Sequence, residues 1–325
     1  MKAVIVKALG GSETLRYQEW ETPEPDAGQV LIRNHITSVN FADIKARSGA
    51  YGDRDLPFIP GLDAAGTVEA LGKGVDSLRL GERVAAYTVG GSYADYVLAD
   101  EKLCFSISDA LDFEQAAGIG VLITAYNLLT QAGQLRKWET VLVHAGAGGV
   151  GSTLIQLAKA LGAGKVFATV GRDDKKETVL ALGADEAINY RNYAFYGVVN
   201  ELTEGRGVNL ILDSIAGKNA EASMTCLATF GRLVIYGHTG EGAAMISSKL
   251  LHKHNRAVIG YSSGGYRKER PEDLKEAAVK GLELLSSGDV KMLIGKRFSL
   301  SQAAQAHDWV ESRQSVGKVL LIPDV

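Results

Sequence analysis

From about Gly118 to Ser262 the chain keeps one rhythm: a short apolar run, a turn, then a segment with helical periodicity. TVLVHAG is followed by GSTLIQLAKALGA, KVFATVG by DDKKETVLALGA, EAINY by YGVVNELTEG, VNLILDS by AEASMTCLATFG and RLVIYG by SSKLLHKH, before a last run, AVIGYS. Few folds accept that order. Continuous apolar runs suit strands buried on both faces, and parallel neighbours need a crossover long enough to be a helix. The alternation therefore predicts an α/β fold built on a doubly wound parallel sheet of six strands.

The first strand-to-helix turn in that series is HAGAGGVG, His144 to Gly151. Gly146, Gly148 and Gly151 stand at the spacing G-x-G-x-x-G, with Gly149 and Val150 inside it, and Leu154, Ile155, Ala158 and Leu161 then recur at helical spacing. In this context the glycines give a tight turn, room for a pyrophosphate against bare backbone, and close packing of helix on strand. A dinucleotide is the expected ligand. About 20 residues on, the second strand ends in TVGRDDKKE, where Gly171 takes the terminal position with Arg172 next and Lys175 close behind. A small residue followed by cations leaves space and charge for a 2′-phosphate, so NADPH is favoured over NADH. Asp173 and Asp174 keep the alternative open, because either could bond a ribose hydroxyl or simply open a solvated helix.

The first ~115 residues read differently. MKAVIVKAL, QVLIRNHITSVN, GTVEALG, RVAAYT and SYADYVLA are short alternating or β-branched runs between turn signals, which predicts a β-rich body. The last ~65 residues hold two helical segments and two strand candidates, KRFSL and GKVLLIP, that do not continue the alternation and are expected to rejoin the first body. A length of 325 residues, 46% hydrophobic and 22% charged, fits about two domains. The net charge of -3 gives no general attraction to nucleic acid or anionic lipid. MKAVIVKAL reads as a first strand and not as a signal peptide, no run approaches ~18 apolar residues, and Cys104 and Cys226 lie far apart in apolar contexts; a cytoplasmic protein with two buried thiols is the expectation.

TVLVHAGAGGVGSTLIQLAKALGA, together with PFIPGLDAAGTVEALGKGVDSLRLGERVAAY and VNFADIKARSGAY, resembles the zinc-independent quinone oxidoreductases, the zeta-crystallin-like branch of the medium-chain dehydrogenase/reductase superfamily. The resemblance runs over essentially the whole chain. It implies a GroES-like substrate domain over residues 1–120, a Rossmann domain over 121–258, a return to the substrate domain over 259–325, NADPH as cofactor, and a homodimer joined along the edges of the two nucleotide sheets. By matching motif, Lys175 and Tyr190 would join Arg172 around the 2′-phosphate, Arg172 being an inference from charge alone. Asn40, Thr124 and the Gly237-His238 loop would line the nicotinamide end, and Gly317 and Lys318 would reach the cofactor from the returning segment.

The zinc-dependent alcohol dehydrogenases of the same superfamily hold their metal differently. This chain has Asn40 where their first ligand, a cysteine, would stand, and Leu62-Asp63 where they carry His-Glu. Only Cys104 falls in the region of their structural zinc lobe, so no metal is expected. His144 and His238 belong to the expected cofactor loops, while structural or solvent roles suit His35, His252, His254 and His307.

Without a Lewis acid the tractable acceptors are activated ones: quinones, enones and enals, whose incoming hydride charge spreads to a distant oxygen. Tyr51, Asn40 and Lys45 are the catalytic candidates, with Asp43 holding their loop. Lys45 stands where some family members have tyrosine, which leaves Tyr51 as proton donor or as a rim aromatic. A reductase of enoyl thioesters, or an NADPH-binding structural or RNA-binding protein, are the alternatives.

Overall fold

Residues 1–52, 55–88 and 90–324 are described by the computed structural model. The β-branched runs of the first third become strands β1 (Lys2–Val6), β2 (Leu15–Glu19), β3 (Gln29–Val39), β4 (Asp63–Leu71), β5 (Arg83–Tyr87), β6 (Tyr96–Asp100) and β7 (Cys104–Ser106). The alternating segment supplies β8 (Thr140–Val143), β9 (Lys165–Val170), β10 (Glu186–Asn189), β11 (Val208–Asp213), β12 (Leu227–Ile235) and β13 (Ala257–Gly260). Two more, β14 (Ile294–Ser299) and β15 (Lys318–Ile322), close the chain.

The chain divides into two compact units. The first comprises Met1–Leu122, Arg267–Gly288 and Met292–Val325. Its main sheet runs β14-β15-β3-β4-β5-β7, with β6 also paired to β3, and β1 and β2 form a separate antiparallel pair. Alternation along the long strand β3 sends Val30 and Ile32 into a core with Ala64, Val68, Val84 and Val97. A second core, of Val4, Val6, Val39, Ile44, Leu300, Ala306 and Leu321, ties the last segment of the chain to the first. The short polar strand β2 and the three-residue β7 carry too little alternation to be read from sequence.

The second unit comprises Ile123–Tyr266 and Asp289–Lys291. Its sheet has the order β10-β9-β8-β11-β12-β13, and every neighbouring pair is parallel. Leu142, Phe167, Ile211 and Leu233 are buried together at its centre, as continuous apolar strands require. Strand order reverses between β8 and β11, the switch point outside whose carboxyl ends ligands of such sheets bind.

One segment differs from the sequence expectation. AEASMTCLATFG reads as helical, yet its helix ends at Ser223 and Leu227 already opens β12. The Arg256 guanidinium donates to the carbonyls of Met224, Leu227 and Ala228, and Val208 N donates to Cys226 O, so the LATF backbone is fastened into the sheet. Partners this distant in sequence override local helical propensity.

Candidate active site

In the α/β unit the glycine turn links β8 to the helix Gly149–Ala160. Gly146 N donates to Thr169 O at 2.9 Å and Gly148 N to Ala145 O at 3.0 Å, which folds the turn tightly. A methyl group at Gly146 would lie 2.8 Å from Ala168 Cβ, and one at Gly151 2.3 Å from Ala145 O. Those two glycines allow the helix to sit against the strand. Gly148 is different: a methyl group there would meet only Ala145 O, at 3.3 Å. Its open side leaves bare backbone to a ligand. The first-turn amides of Gly149, Val150 and Gly151 have no acceptor within the helix, and the helix dipole favours an anion at that end.

The carboxyl ends of the neighbouring strands carry the rest. Gly171 follows β9, and a methyl group on it would lie 2.7 Å from Tyr190 Oη, so only glycine lets the tyrosine ring lie over this turn. Arg172 holds Asp174 through Nε–Oδ1 at 3.0 Å and Nη2–Oδ2 at 2.6 Å. Asp173 pairs with Lys176 at 2.9 Å and accepts from Asn192 Nδ2 at 2.9 Å. Both carboxylates that could have held ribose hydroxyls are thus occupied by protein groups. Lys175 is buried, and burial followed by the Arg172 charge holds its ammonium below the usual lysine range. Gly171, Arg172, Lys175 and Tyr190 therefore converge at one end of the sheet.

Gly237 follows β12, where a methyl group would lie 2.7 Å from Ser214 O beyond β11. His238, next to it, is exposed. Thr124 Oγ1 donates to Ser263 Oγ at 3.0 Å. His144 does not face a ligand. It is fully buried between Thr169 Oγ1 at 3.1 Å and Ser223 Oγ at 3.0 Å, and burial holds its imidazole low, so it braces the strand ends. Sequence reasoning missed Asp213 at the end of β11. One carboxylate oxygen accepts from Ile215 N and Ala216 N, and the other is buried with no hydrogen-bond partner among the described residues.

In the β-rich unit Asn40 caps the helix Phe41–Ser48, and its backbone N–H donates to Asp43 Oδ2 at 2.8 Å. Its side-chain Oδ1 accepts from Lys318 Nζ at 2.7 Å, while Nδ2 donates to Asp63 Oδ2 at 2.8 Å. Lys318 also donates to Val39 O at 3.1 Å, and burial holds its ammonium below the usual range. Gly317 is left-handed, with φ of 63°, and a side chain there would strike Leu293 O; it lets β15 start beside that carbonyl. The sequence reading sends Lys318 toward a cofactor, and the structure aims its ammonium at Asn40, Val39 and Asp63.

Behind Asn40 runs a buried chain that sequence reasoning did not assemble. Tyr93 Oη contacts Asp43 Oδ2 at 3.3 Å and His307 Nε2 at 3.0 Å, Arg47 Nη1 lies 3.5 Å from His307 Nδ1, and Arg47 Nη2 reaches Glu311 at 3.0 Å. Burial pushes the Asp43 carboxyl up to about 7, with the Asp63 charge adding to it. Burial and the Arg47 charge push His307 down to about 3. Both side chains are therefore held neutral near pH 6. On the helix that Asn40 caps, Lys45 Nζ lies 5.9 Å from the Phe41 ring centre and 5.8 Å from that of Tyr51, which is 65% exposed. Among the described residues no group of three or more His, Cys, Asp or Glu is arranged to hold a metal.

Comparison with known proteins matches residues 26–109 to the alcohol dehydrogenase GroES-like domain and residues 149–280 to the zinc-binding dehydrogenase family. A quinone oxidoreductase of Pseudomonas aeruginosa is 36% identical over 99% of both chains, and one of Homo sapiens is 32% identical over 99% of this chain and 98% of its own. The crystal structure of Escherichia coli quinone oxidoreductase complexed with NADPH superposes with a TM-score of 0.92 at 32% identity, covering 99% of this chain and 100% of that one. With such similarity spanning the chain, and with a GroES-like β-rich unit and a Rossmann sheet in place, this protein belongs to the quinone oxidoreductase branch of the medium-chain dehydrogenase/reductase superfamily.

Proposed function

We propose that this protein is an NADPH-dependent oxidoreductase that reduces quinones or α,β-unsaturated carbonyls by direct hydride transfer without zinc. The observation that carries the reading is the carboxyl edge of the six-stranded sheet. A helix N-terminus there opens over Gly148, and Gly171, Lys175 and Tyr190 stand at the ends of the adjacent strands, a small residue and a cation that suit a 2′-phosphate. Bound NADPH supplies the hydride. The amides of Gly149, Val150 and Gly151 would hold the pyrophosphate, and Thr124, Gly237 and His238 would flank the nicotinamide end. Asn40 would present its amide to the reacting groups, and Tyr51, beside Lys45, would meet the acceptor and donate the proton.

The absence of zinc is supported by charge. Lys318 Nζ lies 2.7 Å from Asn40 Oδ1, and Asn40 stands where the zinc enzymes place their first ligand; an ammonium in that place opposes a dication. Treatment with a strong chelator should leave turnover unchanged, and stoichiometric zinc with chelator-sensitive turnover would reverse the assignment. A homodimer paired through β13 fits an outer strand that has one neighbour in the sheet among the described residues and is only partly covered. A cytosolic location fits two free thiols. No helix among the described residues is long and apolar enough to cross a membrane.

The deciding experiment follows NADPH oxidation with a quinone, an enone, an enal and an enoyl thioester. Turnover with one of the first three supports the proposal. Turnover confined to the thioester, or none at all, rejects it.

A further inference from the structure

Asp63 is fully buried and Lys318 is 3% exposed, yet their charged atoms stand 3.7 Å apart, beyond a direct hydrogen bond. Replacing such a buried pair by an apolar pair of similar volume is often neutral or stabilising, even where hydrogen bonds satisfy the ions. Stability alone is a weak reason for charges here. What joins them is Asn40, with the cation on its carbonyl oxygen at 2.7 Å and the anion on its amide nitrogen at 2.8 Å.

This arrangement has two consequences for the amide. A flip about its terminal bond would set the carbonyl oxygen against a carboxylate and the NH2 against an ammonium, so a single orientation survives. The ammonium also draws charge through the amide and strengthens its N–H as a donor. Beside its bond to Asp63, Nδ2 also donates to Ser38 O, a long hydrogen bond at 3.4 Å, and the residue is half-buried, so that weaker bond is the one an incoming acceptor would displace. The clamp is itself held by hydrogen bonds. Asp63 accepts from Ser38 Oγ at 2.6 Å and Gly120 N at 3.1 Å, and Lys318 is anchored on Val39 O.

We infer that Asp63 and Lys318 are positioning residues that fix the direction and donor strength of the Asn40 side-chain amide for hydride transfer. The inference rests on the reading that Asn40 faces the reacting end of the cofactor.

The test measures kcat and KM at saturating NADPH for Asp63→Asn, Lys318→Met and the double variant D63N/K318M, each in the wild-type and the Asn40→Ala backgrounds. With Asn40 present, each single change should lower kcat by about 10- to 100-fold, because small misplacements of a reacting group cost that much. With Asn40 removed, the same changes should alter kcat by less than about twofold, since nothing remains to position. The double variant carries no unpaired buried charge, so it should melt near the wild-type temperature and still lack the lost turnover. A double variant that regains wild-type kcat, or single changes that cost as much without Asn40, would show a purely structural pair and overturn the inference. If a single variant does not fold, the double variant decides alone.

A wild-type protein inactive on every acceptor would refute the functional reading instead. The Asn40 side-chain NH2 signals in 15N spectra then judge the clamp. Their exchange with water should be at least about tenfold faster in the double variant than in wild type, and equal rates would reject the positioning role.

Discussion

If the proposed 2′-phosphate site is right, Lys175 is where the choice between the two nicotinamide dinucleotides turns. Arg172 is already engaged by Asp174 through two contacts, so a phosphate must compete with a carboxylate for it. Lys175 is the buried cation at the same strand end, and an ammonium held below its usual range by burial gains most from an anionic partner. Lys175→Ala should therefore weaken NADPH binding by about 1.5–3 kcal/mol, roughly 10- to 150-fold, and leave NADH nearly unchanged. Fluorescence titration of both cofactors reads the difference, and an equal loss for the two would put the 2′-phosphate elsewhere. On the proposed reading, Tyr51 offers the matching test at the acceptor. Replacement by Phe should lower turnover about 10- to 100-fold without abolishing it, as the loss of one neutral hydrogen bond to the reacting oxygen does. Full turnover in that variant would make Tyr51 a wall of the site and assign the proton to water.

The helix Gly149–Ala160 separates two uses of glycine that look alike in sequence. Gly148, its N-cap, has φ of -79° and ψ of 175°, extended backbone open to any residue, and a side chain there meets only the Ala145 carbonyl oxygen, at 3.3 Å, which has to yield by a few tenths of an ångström. Gly148→Val should therefore fold and melt close to wild type and fail to bind NADPH, its branched side chain filling the pyrophosphate's approach. Gly151→Ala forces a methyl group toward Ala145 O at 2.3 Å, so it should lose about 1–3 kcal/mol of stability with or without cofactor. Thermal melting with and without NADPH distinguishes them, and a destabilised Gly148→Val would mean that protein, not ligand, requires that glycine. The contrast also shows what sequence can and cannot disclose. The six-strand alternation and the glycine turn were legible because both are written in neighbouring residues: apolar runs, helical spacing, bare backbone. The LATF strand was misread because its partners, Arg256 and Val208, lie outside any local window. Asn40 was named from motif, but its clamp was not, since Asn40 and Lys318 are 278 positions apart and only the pairing of β15 with β3 brings them together. His307 reads from sequence only as a structural or solvent-facing residue of the last helix; the fold sets it between Tyr93 Oη and Arg47, partners on two distant elements.

That connection makes the stability of the β-rich unit depend on pH in a way two substitutions should expose. Asp43, with a carboxyl raised to about 7 in the fold against ~3.9 in an unfolded chain, keeps a proton that the unfolded state releases. Its contribution is full below about pH 4 and is lost as pH rises through 7. His307 acts in the opposite sense. Its imidazole is lowered to about 3 against ~6.5 when unfolded, so its contribution is full above about pH 6.5 and is lost as pH falls toward 3. Between about pH 4.5 and 6 the two slopes nearly cancel, because the fold holds a neutral acid and a neutral imidazole where the unfolded chain holds an ion of each sign. His35 and His144 are also held low by burial, so the wild type itself softens in mild acid, and the informative quantity is the change in slope. Asp43→Asn removes the term that offsets the histidines. Stability should then fall more steeply on acidification than in wild type, by at most about 1.4 kcal/mol per pH unit. His307→Gln removes the opposite term, and its profile should tilt by a similar amount the other way, gaining less stability than wild type as pH rises from about 4.5 to 6.5. Urea midpoints at half-unit steps across that range measure both slopes. Profiles that stay parallel to wild type in both variants would mean that Asp43 and His307 titrate in the fold as they do in water, and that the buried chain through Tyr93 holds neither proton state in place.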